Sequence, residues 1–345
     1  MMRWFEQVDG ARPGVVSSRV RLVRNWDQYA FPSRLSRQEG LEMIRRLELG
    51  LKDMGSLEGR EYEYADLDEL TELDRKALKE RRVLNSTIVS RKAPVGILIA
   101  PEEDVSVVLN GTDHIRIQLL SAGLHLHELW KRADRLDDYI NERFPYAFDE
   151  KYGYLTSFPT NVGTGLRASV VLHLPMLSSG RKFAGLVSEM GRFGASVKGV
   201  YGEGSENYGA LYQVSNQKTL GISEKEILDL VTKVALQLLS QEQQVRRMAL
   251  EKHGLECADE AYKSYGVLKY ARRLSAKDAM TFLSHLMLGM ADGSLSMKEP
   301  CSVYRLMLGI QPANLQKLSD RPLGKEELDI ARATYLRAEL PELMN

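Results

Sequence analysis

With 345 residues, the chain is long enough to bury one large core and a second, smaller one. It is 43% hydrophobic and 27% charged, the proportions of an ordinary folded protein rather than a disordered one. Lys and Arg together number 47, as do Asp and Glu, so the basic excess of a nucleic-acid binder is absent. No apolar run reaches the roughly 18 residues that would span a bilayer. The opening Met1-Met2-Arg3-Trp4-Phe5-Glu6 lacks the apolar segment of a secretory signal. Cys257 and Cys301 show no CxxC spacing and read as reduced, partly buried thiols. A cytoplasmic protein without membrane or nucleic-acid partners is expected.

In chain order, Ser17-Ser18-Arg19-Val20-Arg21 reads as an extended segment whose alternation puts Arg19 and Arg21 on one side. Residues 35–82 are rich in Leu, Glu, Arg and Lys, and predict helix with a break near Gly55 and Gly59. From Pro94 the texture changes. Strands are expected at 95–100, 105–109 and 114–119, with Asn110-Gly111 as a type I′ hairpin turn between the last two. If that strand holds, Asp113 points to the face opposite Thr112. A helix fits 123–142. Strands follow at 153–157, 168–174, 195–201 and 210–215, with a helix after Pro175. The capping box Ser223-Glu224-Lys225-Glu226 opens a long helix to about Lys252. Beyond His253-Gly254 only helical patterning occurs, at 258–273, 275–291, 297–308, 311–318 and 324–340. The pattern predicts an antiparallel α+β domain over residues 1–253, mainly helical over 1–90, then a helical domain over 254–345.

No GxxxxGK[ST] phosphate loop occurs, and no kinase-type GxGxxG precedes a suitable strand or helix. Three segments offer other chemistry. Arg19 and Arg21 could grip one polyanion, although a solvated basic strand would read the same. In Asn161-Val162-Gly163-Thr164-Gly165-Leu166-Arg167 the glycines admit a ligand close to the backbone and Arg167 could meet a phosphate; a tight turn with an exposed Arg is the alternative. Lys198-Gly199-Val200-Tyr201-Gly202-Glu203-Gly204-Ser205-Glu206 presents a carboxylate on backbone that could close over a substrate, or is a mobile acidic loop. His125 and His127 fall about 200° apart on a helix and would not share a metal. His173 reads as a half-buried strand histidine.

Together these segments carry a resemblance. Thr156-Ser157-Phe158-Pro159-Thr160-Asn161-Val162-Gly163-Thr164-Gly165-Leu166-Arg167 is similar in order and wording to the ATP:guanidino phosphotransferase family. Tyr201-Gly202-Glu203-Gly204-Ser205-Glu206, Ser264-Tyr265-Gly266-Val267-Leu268 and the helical tail resemble its bacterial protein-arginine kinase branch. The resemblance implies a guanidino-kinase, glutamine-synthetase-like catalytic sheet flanked by helices, a helical domain for dimerisation, and transfer of the ATP γ-phosphate to protein arginines with Mg²⁺. It implies arginine-bearing protein substrates, a homodimer, an activator protein and a protein-quality-control protease as partners. By the same resemblance Arg19, Arg21, Arg116 and Arg167 bind ATP phosphates, and Lys198 stands where the family has Arg. The nucleotide segments it marks are Ser17, Ser18, Arg19, Val20 and Arg21; Arg167, Ala168, Ser169, Val170 and Val171; and Lys198, Gly199, Val200, Tyr201 and Gly202. Glu203 would orient the acceptor guanidinium.

Besides Lys198, three further segments depart from the family pattern. The family's Asn-Glu-Glu-Asp-His is Asn110-Gly111-Thr112-Asp113-His114 here, so a catalytic carboxylate is replaced by Thr112. Its cysteine before Pro159 is Phe158. Its phosphoarginine-recognition motif Arg-Asp-x-x-Arg-Ala reads Leu328-Asp329-Ile330-Ala331-Arg332-Ala333, which keeps Asp329 and Arg332 only. Three functions therefore stand beside each other: a protein-arginine kinase, a pseudokinase that binds nucleotide or (phospho)arginine proteins without efficient turnover, and a dimeric adaptor whose helical tail carries the function.

Overall fold

The computed structural model describes residues 2–201 and 206–344. Its centre is a strand of ten residues, β1 (Val15–Arg24), whose burial alternates along most of its length. Helix α1 (Arg37–Gly50) follows, opened by a capping box between Ser36 and Glu39. A 3-10 turn at Met54–Leu57 marks the expected break. The helical reading of 35–82 is then interrupted by β2 (Glu63–Asp66) before α2 (Glu72–Glu80) and α3 (Ser86–Val89). That short strand was hidden by its charged composition; pairing with β3 (Gly96–Ile99) supplies what its sequence does not.

Strands β4 (Val105–Leu109) and β5 (Ile115–Ala122) are joined by a five-residue connection, not by a two-residue turn. Asn110 adopts φ of 58° and its N–H donates to the His114 carbonyl, but Gly111 is not left-handed, as a type I′ turn would need. The loop is wider because Asp113 is drawn inward by other segments. The expected strand alternation at Thr112 and Asp113 therefore does not apply.

Helix α4 (Leu126–Arg143) leads to a two-stranded ribbon, β6 (Phe148–Asp149) and β7 (Gly153–Tyr154), shorter than the strand expected at 153–157. Then come β8 (Leu166–His173), α5 (Pro175–Ser179), α6 (Phe183–Arg192), β9 (Ala195–Gly199) and β10 (Leu211–Asn216). Eight strands form one antiparallel sheet in the order β2-β3-β4-β5-β1-β8-β10-β9. Helix α7 (Glu224–Tyr270) carries the expected Ser223–Glu226 capping box and continues past a backbone break at His253. The chain ends in α8 (Ala276–Ala291), α9 (Val303–Gly309), α10 (Pro312–Gln316) and α11 (Lys325–Glu339).

The two faces of the sheet have different fates. One face, with Val20, Leu22, Ile117, Leu119, Ala168 and Val170, is buried against α4 and the first part of α7 in the main core. On the other, Leu120, Val171 and Leu211 join Trp4, Phe5 and the helices from α8 onward in a second core. Polar contacts cross the same seam. His173 is fully buried, not half-buried, and its Nε2 lies 2.7 Å from Ser284 Oγ. Glu80 of α2 accepts from the Ala313 and Asn314 amides at the start of α10, both at 2.9 Å. Between these contacts, the middle of that face stays polar.

Candidate active site

Strand alternation builds the polar area. Directly paired residues of an antiparallel sheet project on the same side. Arg21 lies between Gln118 and Arg167, Arg19 between Leu120 and Ser169, and Val23 opposite Arg116. The row continues through Gln213, which pairs with Val171 and with Lys198. Arg19, Arg21, Arg116 and Arg167 thus share one face, with Lys198 at its exposed margin. Ser17 and Ser169 line a cavity of about 10 Å³ with Arg19, Gln213 and Arg82. The intervening residues of the nucleotide segments face the other way. Val20, Ala168 and Val170 belong to the main core, and the Ser18 hydroxyl donates to the Gly123 carbonyl while accepting from the His125 N–H. Val200 and Tyr201 pack against the second core. Gly202 and Glu203 lie outside the described residues.

Arg82, absent from the sequence reading, joins the cluster from the turn after α2. Its φ is 73°, its carbonyl accepts from Gln118 Nε2 at 2.8 Å, and its Nε donates to Tyr304 of α9 at 3.4 Å. The only signal in the sequence was the dibasic Arg81-Arg82. Nothing in its spacing separates Arg82 from Arg81, which is engaged with Glu103.

None of these five arginines pairs with a carboxylate among the described residues. Arg19 donates to Ser169 Oγ at 3.1 Å and to Gln213 Oε1 at 3.4 Å. Arg21 donates to Asn161 Oδ1 at 3.4 Å, Arg116 to Gln118 Oε1 at 3.0 Å, and Arg167 to the Asn216 carbonyl. The Nε atoms of Arg21 and Arg116 are buried with no partner among the described residues. Crowding like charges away from water disfavours the charged form. Burial, then Arg21, pulls the Arg116 guanidinium down to about 9. Burial and Arg167 pull Arg21 down to about 10, with Asp113 opposing them. Arg19 is held well below its ordinary value by burial first, then by Arg21, Arg82, Arg116 and Arg167. Such a cluster has the chemistry to take a polyanion, whose charge would offset what burial removes.

The acceptor side is built from loops. Asp113 is fully buried; its Oδ1 accepts from Asn25 Nδ2 at 2.9 Å and from the Ser157 N–H at 2.7 Å, while Oδ2 has no partner. Asn25 returns the bond by accepting from the His114 N–H. His114 is neutral by environment: Nδ1 accepts from the Trp26 N–H, Nε2 meets the Ala30 carbonyl, and burial lowers its pKa. Thr112 is half-buried between Gly111 and Asp113. Phe158, at the head of the 3-10 turn Pro159–Asn161, is 50% exposed. Neither side chain offers an anion.

Asp329 and Arg332 belong elsewhere. Arg332 is buried in the second core region, where it donates to the Ile310 and Leu274 carbonyls and to Asp329 Oδ1 at 3.2, 2.8 and 2.6 Å. Its donors are directed to the helices around it rather than to the arginine face.

Comparisons with known proteins fit this architecture. Residues 46–245 match the model of the ATP:guanido phosphotransferase C-terminal catalytic domain, and residues 254–345 that of the protein-arginine kinase McsB C-terminal domain. A protein-arginine kinase of Caldanaerobacter subterraneus subsp. tengcongensis is 40% identical over 94% of this chain and 96% of its own. One from Bacillus subtilis is 38% identical over 99% and 94%. Among solved structures, lombricine kinase aligns with TM-score 0.59 and 26% identity, over 73% of this chain and 72% of its own.

Proposed function

The chain belongs to the ATP:guanido phosphotransferase family, and from that premise we propose that it transfers the γ-phosphate of ATP to arginine side chains of proteins. The observation that carries the reading is the cluster of four arginines on one sheet face, joined by Arg82 from the turn after α2, with no carboxylate partner among the described residues. Arg19, Arg21, Arg116 and Arg167 would hold the phosphate chain, with Arg82 beside Arg19 and Lys198 at the margin. The buried, unpartnered Nε atoms of Arg21 and Arg116 fit phosphate oxygens. No group of three His, Cys, Asp or Glu side chains converges to hold a metal among the described residues. Mg²⁺ would therefore come with the nucleotide, neutralising charge on its phosphates.

In the transfer, the bond from the γ-phosphorus to the bridging oxygen breaks and ADP leaves with the electron pair. A bond forms from a guanidinium nitrogen to that phosphorus, and the nitrogen gives up a proton. The acceptor has a pKa above about 12 and is a poor nucleophile while protonated, so a carboxylate must orient it and take the proton. We assign that role to Glu203. Thr112 and Phe158 supply no second anion, and this favours a further reading in which nucleotide is bound but turnover is slow. We read residues 254–345 as the unit for self-association, with Asp329 and Arg332 holding its helices in register. Calorimetry with Mg·ATP tests the common ground: binding is expected, and its absence would refute kinase and pseudokinase alike.

A further inference from the structure

The mechanism above leaves one buried acid without a task. Asp113 is fully buried, yet its Oδ2 has no hydrogen-bond partner among the described residues, and its two donors come from segments far apart in the chain. One is Asn25, just past the end of β1, the strand that bears Arg19 and Arg21. The other is the backbone of Ser157, in the loop that bears Phe158. Four residues beyond Ser157, Asn161 accepts from Arg21 Nη2 at 3.4 Å. Arg21 in turn is the guanidinium whose protonated form Asp113 supports. Hydrogen bonds and chain link Asp113 to Ser157, on to Asn161 and across to Arg21, and the through-space attraction of Asp113 for Arg21, without direct contact, completes the ring.

We propose that Asp113 is a positioning residue that braces the Thr156–Asn161 loop against Arg21, fixing the acceptor side of the cleft relative to the phosphate-binding face. The proposal rests on the phosphotransfer reading for its consequence, though not for its geometry. A loop pinned at one end only would let the acceptor wander from the line of attack, and about 1 Å of misplacement costs on the order of 10²-fold in rate. Asp113 acts through the loop and through Arg21, and does not itself meet the substrate. Its charge matters as well as its shape, because a carboxylate accepts hydrogen bonds more strongly than a neutral oxygen and also steadies a neighbouring guanidinium.

Asp113→Asn keeps an oxygen for the two donors and removes the charge. The expected result in the full chain is faster hydrogen exchange at the amides of residues 157–161, more so in Asp113→Ala. Phosphoarginine turnover should fall about 10–100-fold while Mg·ATP affinity changes less than about threefold. A residue that merely supports the fold would instead lower Tm and weaken nucleotide and acceptor alike. If Asp113→Asn does not fold, Asn161→Ala opens the same ring at its other end and should give the same split. Parent exchange rates in Asp113→Asn, or in Asn161→Ala where that variant stands in, would overturn the brace. A parent protein that binds ATP but makes no phosphoarginine would count against the catalytic reading alone, since the exchange rates still decide the brace.

Discussion

The proposed nucleotide and acceptor sides of the site are held by different kinds of structure. On the nucleotide side, Arg19, Arg21, Arg116 and Arg167 stand on three adjacent central strands whose far faces are locked into the main core. On the acceptor side, Thr112 sits in the five-residue β4–β5 connection and Phe158 in an exposed loop. A substitution on a central strand must respect register, burial and the charge of its neighbours at once. A loop residue meets fewer such demands, and the departures from the family pattern at the transfer centre are both on loops. The comparison sets four arginines built into the central strands against departures from the family pattern that lie on loops, parts that can change without disturbing the fold.

The largest effect expected from a single change is at Glu203. Glu203→Ala should abolish arginine phosphorylation while leaving Mg·ATP binding in place, as measured by phosphoarginine formation beside calorimetry. Loss of ATP binding as well would remove the distinction between the two sides. Next comes restoration of the missing acid. Thr112→Glu should raise turnover by up to about 10²–10⁴-fold, the range of a positioned general base. No gain even in the Thr112→Glu, Phe158→Cys double variant, with ATP still bound, would mean that the acceptor loops have moved too far for side chains alone to repair.

On the nucleotide side, Arg167→Ala should weaken Mg·ATP binding by about 1.5–3 kcal/mol, the worth of a charge-assisted hydrogen bond. The acceptor KM should move much less. The smallest effect concerns pH. In the unfolded chain these guanidiniums stay protonated beyond about pH 12. The folded protein holds Arg116 at about 9 and Arg21 at about 10, so their protonated forms oppose folding; that penalty is full below about pH 9 and fades as pH rises from there toward the unfolded value of about 12. Bound phosphate should relieve the penalty only while it exists. The gain in Tm from Mg·ATP should therefore be full below about pH 9 and shrink steadily as pH rises above it, which differential scanning at constant ionic strength would record.

Much of this was legible in the sequence because alternation is a strong signal. The pairing of Arg19 with Arg21 followed from period two alone, and most strands and the Ser223–Glu226 cap appear where patterning places them. What alternation could not give was which strands lie side by side, and hence that Arg116 and Arg167 flank the same strand. Arg82 was invisible because its place depends on a left-handed turn and on Tyr304, more than 200 residues away. The wide β4–β5 connection was misread for a related reason. Asn110-Gly111 has the composition of a tight turn, but the pull of Asn25 and Ser157 on Asp113 outweighs local preference. Short β2 is masked by the charged, helix-favouring residues around it; the Tyr62 and Tyr64 alternation is its only local signal, and its pairing with β3 is a tertiary fact.

The most direct test is to incubate the full chain with γ-labelled ATP, Mg²⁺ and an arginine-rich unfolded protein, and to read the phosphate linkage by phosphorus NMR under non-acidic conditions. The account predicts phosphoarginine, formed more slowly than the roughly 1–100 s⁻¹ of an ordinary kinase and lost in Glu203→Ala. Phosphate found on hydroxyl side chains, or phosphoarginine made at full kinase speed without help from position 112, would contradict it.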